Sequence, residues 1–185
     1  MTPITLGLDL SLSCSGICFS EGAPLTISPS RPKITGGERL WDLWQQLEPH
    51  LDLHRPLLAA IETCAYNVGR VNMVNLVNLG EWVGVVRAHL AEREIPLINV
   101  APSTLKLFAC GAGNATKEEV GDGCSANWGA PPWKSNQWDD NQYDSFALAR
   151  LAEMALASKL RRELGWNPAV YQQSVVKKLL AKGIN

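Results

Sequence analysis

The five cysteines of this 185-residue chain, Cys14, Cys18, Cys64, Cys110 and Cys124, contain no C-x-x-C pair. Their odd number and spacing argue against a disulfide framework and a structural zinc site, leaving buried free thiols in a reducing cytoplasm. No apolar run approaches the ~20 residues that span a bilayer, so no membrane partner is expected. No basic leader precedes the first apolar segment, because Met1 passes directly into a strand-like stretch. Positive charge is not in excess either. The formal net charge is −1, so any nucleic-acid partner must be met by a local basic footprint. Internal repeats and low-complexity tracts are absent. What is present, 46% hydrophobic and 19% charged residues, is the balance of a single globular core.

Short apolar runs at residues 4–10, 16–20, 57–61 and 96–100 read as strands, and residues 24–34 offer a further one interrupted by prolines. Cys14 and Cys18, four apart, are read as facing one side of the second strand. Residues 38–51 carry Leu40, Trp41, Trp44, Leu47 and Leu51 at helical spacing. Further helices are expected at 72–93, 102–108, 141–164 and 168–180, with one beginning near 115 and fading at Gly121 and Gly123. Residues 63–71 read as a loop, and 127–138 as an ordered loop carrying Trp128, Trp133 and Trp138. Gly80 and Gly84 share a helix face and would admit another helix closely. This order predicts an α/β fold, a mixed central sheet of about five strands flanked by helices on both faces. Residues 1–165 form its domain, and residues 166–185 a basic amphipathic helix or tail.

Four acids stand out. Asp9 lies inside an apolar strand, where an unpaired carboxylate costs several kcal/mol. Glu62 ends a second apolar strand, and sites in open α/β sheets collect beyond strand ends. Asp140 and Asp144, four apart at the start of the last long helix, share a face, with Asp139 beside them as a reserve. Taken singly, each has an ordinary explanation: a strand-end acid caps or pairs, and acids favour helix N-termini. Gathered from three segments, such carboxylates repel one another unless divalent cations bind. An all-oxygen donor set suits Mg²⁺, with Mn²⁺ as a substitute, rather than zinc. Two such ions about 4 Å apart serve phosphodiester cleavage.

The sequence GLDLSLSCSG at 7–16 resembles the first-strand motif of the RuvC-type Holliday junction resolvases, and AAIETCAYN at 59–67 resembles their second motif. Residues 78–90 look like the helix that follows, and residues 101–120 are similar to the family's third block, with its two lysines as Lys106 and Lys117. DDNQYDSFALA at 139–149 resembles the block carrying the final acids. There are departures. The family usually separates its last two acids by three positions, and Asn141 occupies that place here. The family aromatic at the third position after the second acid is replaced by Ala65, with Tyr66 one residue later.

The resemblance implies an RNase H-like fold and a homodimer acting on branched DNA, a four-way junction, in a bacterial or phage-infected cell. Its implied site is Asp9, Glu62, Asp140 and Asp144 as ligands of two Mg²⁺ ions, with Lys117 at the scissile phosphate. Lys106, Tyr66 and Arg70 would join Lys117 in contacting DNA, and paired nicks would leave 5′-phosphate and 3′-hydroxyl ends. Tyr66 either stacks on bases or is buried, and Gly80 and Gly84 serve either a dimer contact or packing within the chain. Two other readings share the motifs: a nuclease for forks, flaps or other branched DNA, and an inactive junction-binding protein. A third, the actin-like ATPase fold, needs a second domain for which the chain is too short.

Overall fold

A computed structural model describes residues 3–63 and 73–184. Five strands form one sheet in the order β3-β2-β1-β4-β5. β1 (Thr5–Asp9), β2 (Ser15–Phe19) and β3 (Leu25–Ile27) are an antiparallel meander. β4 (Leu58–Glu62) and β5 (Leu97–Val100) run parallel to β1. α1 (Gly36–His54) connects β3 to β4, and α2 (Met73–Glu92) precedes β5. Four helices follow: α3 (Pro102–Cys110), α4 (Lys117–Trp128), α5 (Asp140–Leu160) and α6 (Val170–Ala181).

The sheet is apolar on both faces, as strands covered on both sides must be. Leu6, Leu8, Ile17, Phe19, Ala59 and Ile61 pack against Leu43, Trp44 and Leu47 of α1 and Trp82 and Val86 of α2. Cys18, Leu58, Ala60, Ile98 and Val100 pack on the other face against α3 to α6. α5 is buried along most of its length, its own small and apolar side chains (Ala147, Leu148, Ala149, Leu151, Ala152) being part of the core. Thr5 Oγ1 donates to the Ala149 carbonyl at 2.9 Å in the buried seam between β1 and α5. Thr5→Val keeps the shape and removes the donor. It is expected to cost about 1 kcal/mol, seen as a melting point lowered by about 2–4 °C.

Several expectations are corrected. β3 spans three residues, because the prolines around it cannot extend a ladder. α4 does not fade at its glycines but continues to Trp128. A Cβ on Gly121 would lie 2.7 Å from Trp133, and one on Gly123 2.6 Å from the Ala109 carbonyl, so tertiary packing selects glycine there. Within the expected 127–138 loop, Trp133–Ser135 forms a 3₁₀ turn. Trp133 and Trp138 pack against Tyr143, and Trp128 against Phe108 and Phe146. Cys14 lies ahead of β2 rather than within it, so it does not share a strand face with the buried Cys18. Among the described residues, nothing lies within 4 Å of a Cβ placed on Gly80 or Gly84. α6 joins the core through Val175, Val176 and Leu179, and buried Gln172 Nε2 donates to the Phe108 carbonyl at 3.2 Å. Among the described residues no helix is long and apolar enough to cross a membrane.

Candidate active site

The parallel register pairs Leu8 with Ile61, so Asp9 and Glu62 follow on adjacent strands at the carboxyl edge of the sheet. Alternation fixes their direction. Thr5 and Gly7 contact α5, and the Leu58 and Ala60 side chains lie in the core beneath it. Asp9 and Glu62, two residues further on, therefore belong to the same face. α5 supplies the third acid. It lies so close to the sheet that a Cβ on Gly7 would fall 2.0 Å from the Ser145 carbonyl oxygen. A Cβ on Gly16, the register partner of Asp9, would fall 2.0 Å from the Asn141 carbonyl oxygen. Those two strand glycines let the helix main chain rest on the strands, carrying Asp144 to the edge where Asp9 and Glu62 stand.

The three carboxyl groups feel one another. Burial, then the charge of Asp144, pushes Asp9 up to about 7, with Asp139 adding to the effect and Lys117 opposing it. Burial, then Asp9 and Asp144, pushes Glu62 up to about 8 against the pull of Lys106. Burial raises Asp144 to about 6, while Lys117 and Lys106 favour its ionised form. The two lysines are each held at one point. Lys106 Nζ donates to the Ala115 carbonyl at 2.7 Å. Lys117 opens α4, behind a Thr116–Glu119 capping box, and its ammonium pairs with Asp140.

The first turn of α5 divides its acids. Asp139 is the N-cap: Oδ1 accepts from Gln142 N–H at 2.8 Å, and Oδ2 accepts from the Cys14 thiol at 3.8 Å. Asn141 Nδ2 donates to Cys14 Sγ at 3.3 Å. Asp140 meets Lys117. The turn before β2 is also braced, since Ser15 Oγ donates to the Ser11 carbonyl at 2.7 Å and accepts from Trp82 Nε1 at 3.3 Å. Asp9, Glu62, Asp144, Lys106 and Lys117 are thus brought together, and Asp140 joins through Lys117. Tyr66, Arg70 and Cys64 lie outside the described residues. Gly7, Gly16, Cys14 and Trp82 are parts of the site's frame that sequence reading missed. The one available signal was glycine inside two strands, which marks a close approach of backbone.

Among the described residues, no three His, Cys, Asp or Glu side chains already stand close enough to hold a metal ion. The donor chemistry nevertheless fits a hard divalent cation: three oxygen-only acids from three segments, each raised by burial and two of them by acidic neighbours. A cation among them would reverse that repulsion and draw the carboxylates in. Asp9 and Glu62 stand at the carboxyl ends of β1 and β4. A cavity of about 540 Å³, lined by Leu51, Arg55, Pro56, Leu57 and Ile95, lies at the opposite, amino-terminal ends of β4 and β5.

Known proteins resemble this chain in sequence and in fold. The chain is 34% identical over 138 residues to the crossover junction endodeoxyribonuclease RuvC of Nitratidesulfovibrio vulgaris, covering 70% of this chain and 80% of the relative. It is 32% identical over 114 residues to the Ruegeria pomeroyi protein of the same name, covering 62% and 61%. The structure of Thermus thermophilus RuvC in complex with Holliday junction substrate superposes with a TM-score of 0.68 at 17% identity, covering 85% of this chain and 96% of that one. The yeast mitochondrial Holliday junction resolvase gives 0.58 at 15% identity, covering 96% and 85%. These two structures establish the RNase H-like fold. The family model of crossover junction endodeoxyribonuclease RuvC matches residues 30–122, a segment that includes Glu62, Lys106 and Lys117. By the family match, the relatives and the fold together, the chain belongs to the crossover junction endodeoxyribonuclease RuvC family.

Proposed function

We propose that this protein is a Mg²⁺-dependent endodeoxyribonuclease that resolves four-way DNA junctions by paired nicks, leaving 5′-phosphate and 3′-hydroxyl ends. The observation that carries the reading is the meeting of Asp9, Glu62 and Asp144 at one sheet edge, with Lys106 and Lys117 acting on their charges. The Nitratidesulfovibrio vulgaris relative carries the name of that activity, and the Thermus thermophilus structure holds a Holliday junction substrate.

Asp9, Glu62 and Asp144 would hold the metal, in agreement with an all-carboxylate donor set. Two divalent ions, when bound, supply Lewis-acid activation of water and neutralise charge on the departing oxygen. The chain's own part is positioning. β1 and β4 fix two acids in register, and α5 fixes the third against them. The Lys106 and Lys117 ammonium groups each keep donors free for phosphate oxygens, because one ammonium carries three N–H bonds. The charge they bring balances what develops on the phosphate during displacement.

Incubation with a synthetic four-way junction and Mg²⁺ is expected to give symmetric nicks, suppressed by EDTA. Stronger cleavage of flaps than of junctions would move the assignment to branched DNA in general. Symmetric nicking calls for two subunits, and α2 offers a face for the second: among the described residues Met73 and Val77 are exposed, and nothing stands against Gly80 and Gly84. Sedimentation is expected to find a dimer that Gly84→Glu dissociates.

The raised carboxyls give a further measurable sign. An acid raised by folding favours the folded state while protonated, so its contribution is present at low pH and lost as pH rises through the folded value. For Asp9 and Glu62 that loss begins near their ordinary values of 3.8 and 4.5 and is complete near pH 7 and pH 8. Bound Mg²⁺ stabilises the ionised form and offsets the loss. The increase in melting temperature on adding Mg²⁺ is therefore expected to be larger near pH 8.5 than near pH 6. An increment independent of pH would contradict the site.

A further inference from the structure

The sequence pattern assigns Asp140 to the metal, and the side-chain arrangement gives it another task. Asp140 sits in the first turn of α5, half-buried, and its carboxylate pairs with the ammonium of Lys117, the first residue of α4. We propose that Asp140 is a positioning residue, which holds the Lys117 ammonium at the border of the Asp9–Glu62–Asp144 cluster, and is not itself a metal ligand. This rests on the nuclease reading above and refines it.

Three observations carry the assignment. First, Lys117 is an exposed side chain on a flexible four-carbon stem. Without a tether it would sample solvent, and Asp140 is the acid it meets. Second, the tethered ammonium is within electrostatic reach of both Asp9 and Asp144, where it favours their ionised forms. Third, the companion cation is anchored by the same logic with a different partner, Lys106 Nζ on the Ala115 carbonyl just ahead of the α4 cap. One anchor per lysine uses one N–H and leaves two for a phosphate. The same turn of α5 is committed elsewhere: Asp139 caps the helix and receives the Cys14 thiol, and Asn141 bonds that thiol. The position where the family places its penultimate acid therefore braces the turn before β2, and Asp140 addresses α4.

The test compares D140N, D140E, D144N and K117Q in the full-length protein. The first readout is Mn²⁺ binding by isothermal titration calorimetry without DNA. D144N is expected to weaken binding by at least about tenfold, the scale of losing a ligand. D140N is expected to stay within about threefold of wild type, the scale of an exposed charge. The second readout is single-turnover cleavage at saturating junction DNA. D140N is expected to be slower by about tenfold, the scale of a misplaced group, with junction Kd little changed and D140E restoring most of the rate. In a K117Q background, D140N is expected to add nothing further, because the two residues act as one unit. Loss of Mn²⁺ affinity in D140N comparable to D144N would overturn the proposal, as would additive effects of D140N and K117Q. D140E retains the charge, so poor folding of D140N would not excuse D140E from the same comparison. A wild-type protein that binds Mn²⁺ and cleaves no branched DNA would remove the nuclease reading, while the calorimetric comparison would still decide the role of Asp140.

Discussion

Asp9→Asn is expected to abolish junction cleavage, by at least about 10³-fold, while leaving junction binding in place. A carboxylate that holds catalytic cations contributes several kcal/mol to transition-state charge stabilisation, and each 1.4 kcal/mol is about tenfold in rate. Asparagine keeps the size and loses the charge, so the loss reports chemistry rather than packing. The same variant carries a second, opposite expectation. Burial and the charge of Asp144 hold the Asp9 carboxyl near 7, so in metal-free protein above that pH the native side chain works against folding. Asp9→Asn removes this, and metal-free Asp9→Asn should melt higher than wild type at pH 8 or so and lose the Mg²⁺-induced increment there. Gel-based cleavage, a binding isotherm in Ca²⁺ and thermal melts with and without Mg²⁺ separate the three effects. Undiminished cleavage would refute the site.

Gly7→Ala is expected to be strongly destabilising. Its Cβ would stand 2.0 Å from the Ser145 carbonyl oxygen, 2.4 Å from the Ala149 nitrogen and 2.9 Å from Leu148 Cβ. Two of those neighbours are main-chain atoms of a buried helix and cannot rotate away. α5 would have to lift from β1, with a cost of about 3 kcal/mol or more, read as a melting point lower by about 6–12 °C. Lifting α5 also withdraws Asp144 from Asp9, so residual folded protein should cleave poorly. Gly22→Ala is the control, because nothing lies within 4 Å of its Cβ position. A Gly7→Ala protein that melts with the parent would mean that the helix does not rest on the strand.

The sheet, its flanking helices and the three clustered acids were legible because they depend on local pattern. Apolar runs such as residues 57–61 announce a doubly covered strand, and an acid at the end of such a run announces a site at the sheet edge. What could not be read depends on contacts between distant residues. Gly121 and Gly123 look like a helix terminus in one dimension, and only the packing of Trp133 and Ala109 against them explains why the helix continues. Cys14 looks like part of a strand until Asp139 and Asn141 are found beside it. Asp140 and Asp144 share a helix face on paper. A lysine 23 positions earlier than Asp140 takes up the first, and no spacing rule could reveal that.

Because α5 reaches the strands through main chain, the spacing of the acids is tied to the most protected layer of the molecule. Amide hydrogens along its buried face should exchange with solvent only when the whole domain opens, not through local breathing. Motions that admit or release a bulky substrate must then arise elsewhere, and drift within the native ensemble cannot easily blunt the reactive geometry. Sequence change in such a lineage would be free to remodel the outer helices and the C-terminal segment, while the strand glycines beneath α5 stay as constrained as the acids they serve.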